Sequence, residues 1–161
     1  MTQPTPTSSH GKDTAGVLIL PPLLFALPVG LGWLMARVIP SPELPAVCNS
    51  IGLVLLVLAL IPGPWALVVM LRAGVNPEPH VPTRSLVLGG PFRFTRNPIY
   101  LTYILFVAGL GMIAGNLWIL LLLCPAIVIA HYGIVLREER YLLRRFGLEY
   151  TEYLQRVRRW L

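Results

Sequence analysis

Long runs of residues without Lys, Arg, Asp or Glu alternate with short polar segments along this chain. Three such runs cover 14–36, 44–71 and 97–136, with 23, 28 and 40 residues. Because about 20 apolar residues cross a bilayer as a helix, each of the first two runs predicts one crossing. The third is long enough for two crossings, and Gly115-Asn116 near its middle predicts a turn. The pattern therefore predicts four membrane spans, at about 15–39, 46–71, 98–114 and 117–137.

Prolines interrupt the first two predicted spans. Pro21-Pro22 and Pro28 fall in the first span, and Pro62-Gly63-Pro64 falls in the second. Proline has no backbone N–H and kinks a helix, and in a membrane the freed backbone groups must find partners in protein or water. We expect a kink at Pro62-Gly63-Pro64, which either serves packing alone or shapes a cavity.

The segments at the two chain ends are more polar than the spans. Residues 1–13 are rich in Thr, Ser and Pro and predict a disordered tail. The uncharged run that follows is too long for the apolar part of a signal peptide, so we interpret it as a retained helix. At the other end, six apolar or aromatic residues recur at helical spacing: Tyr150, Tyr153, Leu154, Val157, Trp160 and Leu161. They predict an amphipathic helix over 148–161, which lies on the membrane surface or packs as a lid over the loop 72–97.

Composition and charge favour a membrane protein over a soluble one. The chain has 161 residues, of which 55% are hydrophobic and 12% charged, which is too apolar for a soluble domain and short for two domains. We therefore predict an all-α integral membrane fold, with one domain over 14–161. The net charge of +6 is concentrated in the loop 72–97 and in the tail from Arg137. By the positive-inside rule, both segments and both termini face the cytoplasm.

The basic residues flank hydrophobic spans, where arginines are ordinarily anchors for lipid headgroups. This placement favours membrane lipids over nucleic acid as partners. Cys48 and Cys124 are the only cysteines, both in predicted spans, without a CxxC spacing or a third ligand nearby. They support neither a metal site nor a disulfide.

Two charged motifs flank the predicted hairpin. The first is Arg96-Asn97-Pro98-Ile99-Tyr100, which follows Gly89-Gly90-Pro91, and the second is Arg137-Glu138-Glu139-Arg140. Pro98 suits the first turn of a helix, so the first motif should cap the third span. Since the chain crosses and returns, both motifs should lie at one membrane face. His131 lies seven residues before Glu138, about two turns of a regular α-helix, so we expect both on one helix face.

These separated motifs resemble those of the isoprenylcysteine carboxyl methyltransferase and phospholipid methyltransferase superfamily. Its members carry Arg-His/Asn-Pro-x-Tyr before a helical hairpin and Glu-Glu after it, then Phe-Gly, paired tyrosines and a basic tail. The matching residues here are Arg96 to Tyr100, Glu138-Glu139, Phe146-Gly147, Tyr150 with Tyr153, and Val157-Arg158-Arg159-Trp160. The sequence departs at Asn97, where the prenylcysteine enzymes usually have His, and at Thr102, where many members have Gly.

The resemblance implies methyl transfer from S-adenosylmethionine to a lipophilic substrate in the membrane, either a prenylated carboxylate or a lipid amine, at the cytoplasmic interface. The cofactor carries an ammonium, a carboxylate, a ribose diol and a sulfonium, which suit a site containing both carboxylates and arginine. The resemblance and the charges together indicate Arg96, Tyr100 and Glu138 as candidate catalytic residues. The candidate cofactor-binding residues are Gly90, Pro91, Arg96, Asn97, Tyr100, His131, Arg137, Glu138 and Glu139.

Two questions stay open at the level of sequence. A carboxylate nucleophile needs no general base, whereas an amine substrate makes Glu138 or His131 a candidate base. The alternative to an enzyme is a small transporter or a non-catalytic membrane scaffold. A proton-coupled transporter would ordinarily place an acidic residue within a span, and the first two predicted spans contain none. The sequence leaves the oligomeric state open.

Overall fold

The computed structural model describes residues 20–76 and 85–161, which form an antiparallel bundle of helices. A short 3-10 helix over Gly90–Arg93 precedes α4, and a π-helix over His131–Val135 joins α5 to α6. No strand occurs in these two ranges, and the predicted all-α class is confirmed. The α-helices are α1 Pro21–Val38, α2 Val47–Ala59, α3 Pro62–Arg72, α4 Pro98–Ile113, α5 Leu117–Ala130 and α6 Leu136–Arg156.

Several sequence predictions fall outside the described residues. These are the disordered tail 1–13, the first residues of the span 15–39, and the part of the loop that covers 77–84.

The helices alternate in direction between two ends of the bundle. At one end, the Ser41 hydroxyl donates to the Gly115 carbonyl at 3.4 Å, and Trp118 Nε1 donates to the Ile39 carbonyl at 2.9 Å. At the other end, Leu20 before α1, Met70 in α3, Asn97 before α4 and Glu138 in α6 line one cavity. The topology therefore brings both charged motifs to the same end, as the hairpin argument predicts.

The bundle has the length and the exterior of a multi-pass membrane protein. Pro21–Val38, Val47–Arg72 and Leu117–Arg156 are long and apolar enough to cross a bilayer, and Pro98–Ile113 is a shorter apolar helix between them. Many large apolar side chains face outward, such as Leu23, Trp33 and Val57. Because lipid rather than water surrounds such helices, this exterior is the expected one. The core lies between α1, α4 and α5 and includes Phe25, Val107, Ile119 and Leu123.

The predicted kink in the second span is confirmed, since the helix breaks between Ala59 and Pro62. The break frees the Ala59 carbonyl, which accepts a hydrogen bond from the Thr102 hydroxyl of α4 at 3.2 Å. A Cβ atom on Gly63 would lie 2.5 Å from that hydroxyl oxygen, so α3 approaches α4 closely only because residue 63 is glycine. Gly63 and Pro64 also line the cavity, so the kink shapes it.

The turn predicted at Gly115-Asn116 separates α4 from α5. The Asn116 side chain caps α5 by accepting hydrogen bonds from the backbone N–H groups of Trp118 and Ile119. Its amide nitrogen donates to the Gly32 carbonyl of α1 at 3.1 Å. One buried side chain therefore starts α5 and ties it to α1.

The C-terminal helix is shorter than the predicted 148–161. α6 kinks at Gly147 and ends at Arg156, and Val157 is extended with φ −121° and ψ 132°. Residues 157–161, which we call the C-terminal strap, leave the helix because their carbonyl groups bond to the loop before α4. Tyr150 and Tyr153 are buried. This part of the chain contacts residues 92–97 of the loop, and its predicted placement on the membrane surface or as a lid stays a prediction.

Candidate functional site

A cavity of about 700 Å³ lies where α3, α4 and α6 meet beneath the loop. Its size falls within the usual range for small-molecule sites, roughly 300–1,000 Å³. Apolar and aromatic side chains from several helices form one part of its wall, among them Leu20, Leu67, Met70, Ile99 and Tyr103. Polar side chains line it as well, among them Arg96, Asn97, Tyr100, Glu138, Glu139, Tyr150 and Tyr153. The cavity can therefore hold a molecule that carries both charged and apolar groups.

The first pair in the polar wall joins the two charged motifs. Tyr100 in the first turn of α4 donates its hydroxyl hydrogen to Glu138 Oε1 in the first turn of α6, at 2.9 Å. Pro98 begins α4 and so places Tyr100 on that turn. This bond orients the Glu138 carboxyl group, which lies on the cavity wall.

The second carboxylate, Glu139, is shared by two arginines. Arg96 Nη1 donates to Glu139 Oε1 at 2.9 Å. Arg159 donates from Nε to Oε1 at 2.9 Å and from Nη2 to Oε2 at 2.8 Å. The hydrogen bonds that Arg159 donates to Glu139 raise the pKa of Arg159. Two guanidinium groups and one carboxylate leave the cluster with one net positive charge.

The C-terminal strap fixes the backbone and side chain of Arg96. Its Nε donates to the Val157 carbonyl at 2.8 Å, and its backbone N–H donates to the Arg158 carbonyl at 3.1 Å. The Arg159 carbonyl accepts from the Thr95 hydroxyl at 3.1 Å and from Asn97 Nδ2 at 2.9 Å. The strap is therefore held by its own backbone carbonyls.

The sequence that forms this site matches a known protein family. A family model described as Phospholipid methyltransferase matches residues 47–149, which include both charged motifs and every helix from α2 to the first part of α6. The chain belongs to the phospholipid methyltransferase family. The superfamily resemblance predicted from the motifs is confirmed, and the chain is a multi-pass membrane protein of a methyltransferase family.

One relative is matched over a shorter stretch. The cobalt-zinc-cadmium resistance protein CzcN of Cupriavidus metallidurans is 31% identical over 73 residues, which is 45% of this chain. The match covers 33% of the length of CzcN, so the chain spans about a third of that relative. No solved structure matches the chain.

Five of the predicted site residues lie together on the cavity wall: Arg96, Asn97, Tyr100, Glu138 and Glu139. Gly90, Pro91 and Arg137 are not among the described residues that line it. Gly90 instead has φ +59°, and a Cβ atom there would lie 2.7 Å from Val69 Cγ2 of α3. Gly90 is therefore needed for the turn and for close packing, and its role toward a cofactor stays a prediction, as does that of Pro91 and Arg137.

The expectation that His131 shares a helix face with Glu138 requires correction. Residues 131–135 form a π-helix, which takes more residues per turn than an α-helix, so seven residues no longer make two turns. The His131 ring lies 6.1 Å from the Trp160 ring and 4.8 Å from the Tyr132 ring. His131 is not among the described residues that line the cavity, whereas Glu138 is.

Three further residues contribute to the site, and the sequence did not assign them a role. Tyr150 and Tyr153 line the cavity, and the Tyr153 hydroxyl donates to the Phe92 carbonyl at 2.7 Å. Arg159 donates a hydrogen bond to Glu139 but is not among the described residues that line the cavity. The paired tyrosines and the basic tail are visible as motifs, but their contacts depend on how the chain folds back over the loop.

The described residues contain no group of three or more His, Cys, Asp or Glu side chains placed to hold a metal ion.

Proposed function

We propose that this protein transfers a methyl group from S-adenosylmethionine to a lipophilic substrate embedded in the membrane, at its cytoplasmic face. The observation that carries the proposal is the cavity itself. Its wall combines an arginine and a carboxylate, Arg96 and Glu138, with apolar side chains of the membrane helices. A water-soluble charged cofactor and a lipid need such a combination.

The polar wall suits the groups that the cofactor carries. Glu138 offers a carboxylate to an ammonium or a ribose hydroxyl, while Tyr100 engages one of its oxygens. In its contacts with described residues, Arg96 uses two of its five guanidinium N–H donors, toward Val157 and Glu139. The remaining N–H donors of Arg96 suit the carboxylate of the cofactor, because a planar guanidinium binds a carboxylate well. Bound there, the cofactor would supply a methyl group activated by its positive sulfonium.

The residues of this chain would act mainly by positioning and by excluding water. Methyl transfer is an in-line displacement that depends on the alignment of nucleophile and methyl carbon. Tyr150 and Tyr153, both buried, line the cavity and would keep water from the reacting groups on their side.

The substrate class decides whether a proton must move. A prenylated carboxylate is already ionised at neutral pH and needs no base. A lipid amine must lose a proton, and Glu138 on the cavity wall is then the candidate base. Because His131 lies beside Trp160 instead, we no longer propose it for this role.

The orientation of the bundle follows from its charges. Described parts of the basic loop, at 75–76 and 85–97, and the start of the basic tail lie at the cavity end, and basic segments of membrane proteins favour the cytoplasm. The cofactor would therefore enter from the cytoplasm. The apolar wall includes residues of α1, α3 and α4, which suits a lipid that arrives from the bilayer.

Methyl transfer to membrane lipids tests this function. The purified protein in lipid nanodiscs is incubated with S-adenosylmethionine that carries a radiolabelled methyl group, and the lipids are extracted. Label that base treatment releases indicates an ester of a prenylated carboxylate, and label that survives base indicates a methylated amine. Transfer to neither class would contradict the proposal, and cofactor-independent, proton-driven transport by reconstituted protein would support a transporter instead.

A further inference from the structure

We propose that Arg159 is a positioning residue that neutralises Glu139, so that the positive charge of Arg96 remains directed at an anionic group bound in the cavity. The inference rests on the proposed function, in which that group is the carboxylate of S-adenosylmethionine. Arg159 itself is not among the described residues that line the cavity, so it would act through its neighbours.

The first step is the sharing of one carboxylate between two arginines. Glu139 and Arg96 both line the cavity, and their side chains are 13% and 14% exposed. Left as a pair, their charges would cancel at the wall. Arg159 binds both oxygens of Glu139 from the other side. The cluster then keeps one positive charge, and Arg96 is its one cationic member among the described residues that line the cavity.

The second step is the low exposure of Arg96 and Glu139, while the Arg159 side chain, at 34%, is more exposed. Charges that are mostly removed from water interact more strongly than surface charges. Without Arg159, the Glu139 carboxylate would lie on the same wall as a bound anion and repel it. Arg159 therefore adjusts the charge of the site at a distance from the ligand.

The side chain of Arg159 binds Glu139, whereas backbone carbonyl groups attach the strap to the loop before α4. The contacts that hold the strap on the loop use the carbonyl groups of Val157, Arg158 and Arg159. None of these backbone bonds uses the Arg159 side chain. An Arg159→Gln variant should therefore keep the strap in place while it removes one positive charge.

The test compares two ligands by calorimetric titration of the full-length protein in lipid nanodiscs. The ligands are S-adenosylmethionine and its decarboxylated form, which keeps the ammonium and sulfonium but has no carboxylate. Arg159→Gln should weaken binding of the first about tenfold, as expected when a charged interaction is lost. Binding of the decarboxylated ligand should stay within about twofold of the parent, because Arg96 has no anion to bind there.

Two further variants provide the controls. Arg156→Gln removes an exposed arginine that pairs with the exposed Glu152 at 3.1 Å, and it should bind both ligands like the parent. The double variant Arg159→Gln/Glu139→Gln restores the single positive charge on Arg96, which Val157 still holds. It should regain most of the lost affinity for S-adenosylmethionine.

Three results would overturn the inference: an Arg159→Gln variant that binds S-adenosylmethionine like the parent, one that loses both ligands equally, or a double variant that recovers nothing. If the parent protein itself binds no S-adenosylmethionine, the proposed function fails, and this inference fails with it.

Discussion

Replacing Glu138 with glutamine removes an ionisable carboxyl group from the cavity wall and changes little else. The Tyr100 hydroxyl donates to Glu138 Oε1 at 2.9 Å, and the amide oxygen of glutamine can accept the same hydrogen bond. We therefore expect the variant to fold like the parent. If Glu138 binds a cationic or hydroxyl group of the cofactor, the lost interaction is worth about 1.5–3 kcal/mol, since one partner is charged. That loss weakens binding roughly tenfold to hundredfold.

The assay is calorimetric titration of S-adenosylmethionine into purified protein in lipid nanodiscs, with thermal unfolding as the check on folding. Glu152→Gln is the matched control, since Glu152 pairs with Arg156 on the surface and its side chain is 66% exposed. The control should change the binding free energy by less than about 1 kcal/mol. A folded Glu138→Gln variant that binds the cofactor within twofold of the parent would refute the assignment of Glu138 to the cofactor.

Three other substitutions test the geometry of the site. Arg96→Lys keeps the charge but loses the fork that bonds two partners, so methyl transfer should fall at least about tenfold; unchanged turnover would contradict the positioning role. Gly90→Ala should lower the unfolding temperature, because residue 90 has positive φ and a valine 2.7 Å from the new Cβ, whereas Gly89→Ala meets nothing within 4 Å and serves as control. Gly63→Ala should likewise destabilise the protein by about 1–3 kcal/mol through overpacking. This cost should be smaller in a chain that also carries Thr102→Gly, since the nearest atoms belong to that threonine; an equal cost with and without Thr102→Gly would contradict the close contact of α3 with α4.

The helices and the common position of the two motifs could be predicted from the sequence. Uncharged runs identify spans because charged groups are costly in a bilayer, and proline marks the break before Pro62 because it cannot continue the hydrogen-bond pattern. An even number of crossings between Arg96 and Glu138 then places both at one end. These predictions rest on local composition and chain length alone.

The failed or missing predictions depend on features that leave little local signal. The π-helix at 131–135 changes the number of residues per turn without a distinctive composition. The expectation that His131 and Glu138 share one helix face assumed the spacing of a regular α-helix, which does not apply there. Val157, Trp160 and Leu161 continue a helical period, yet the loop before α4 takes up the backbone carbonyls and ends the helix at Arg156. Tertiary hydrogen bonds here override the periodicity.

The pairing of Arg159 with Glu139 could not be predicted for a related reason. Twenty residues separate them, and the contact exists only because α6 kinks at Gly147 and the strap returns to the first motif. The sequence shows a basic tail, but its period does not say which arginine faces inward.

Direct binding of S-adenosylmethionine to the parent protein decides whether the cavity is a cofactor site. Calorimetric titration in lipid nanodiscs should give saturable binding at one site per chain, and the presence of Glu138 and Arg96 on one wall predicts weaker binding in both Glu138→Gln and Arg96→Lys. Saturable binding that these two changes reduce and Glu152→Gln leaves intact is the predicted result. A folded parent protein that shows no binding with lipid present would contradict the account.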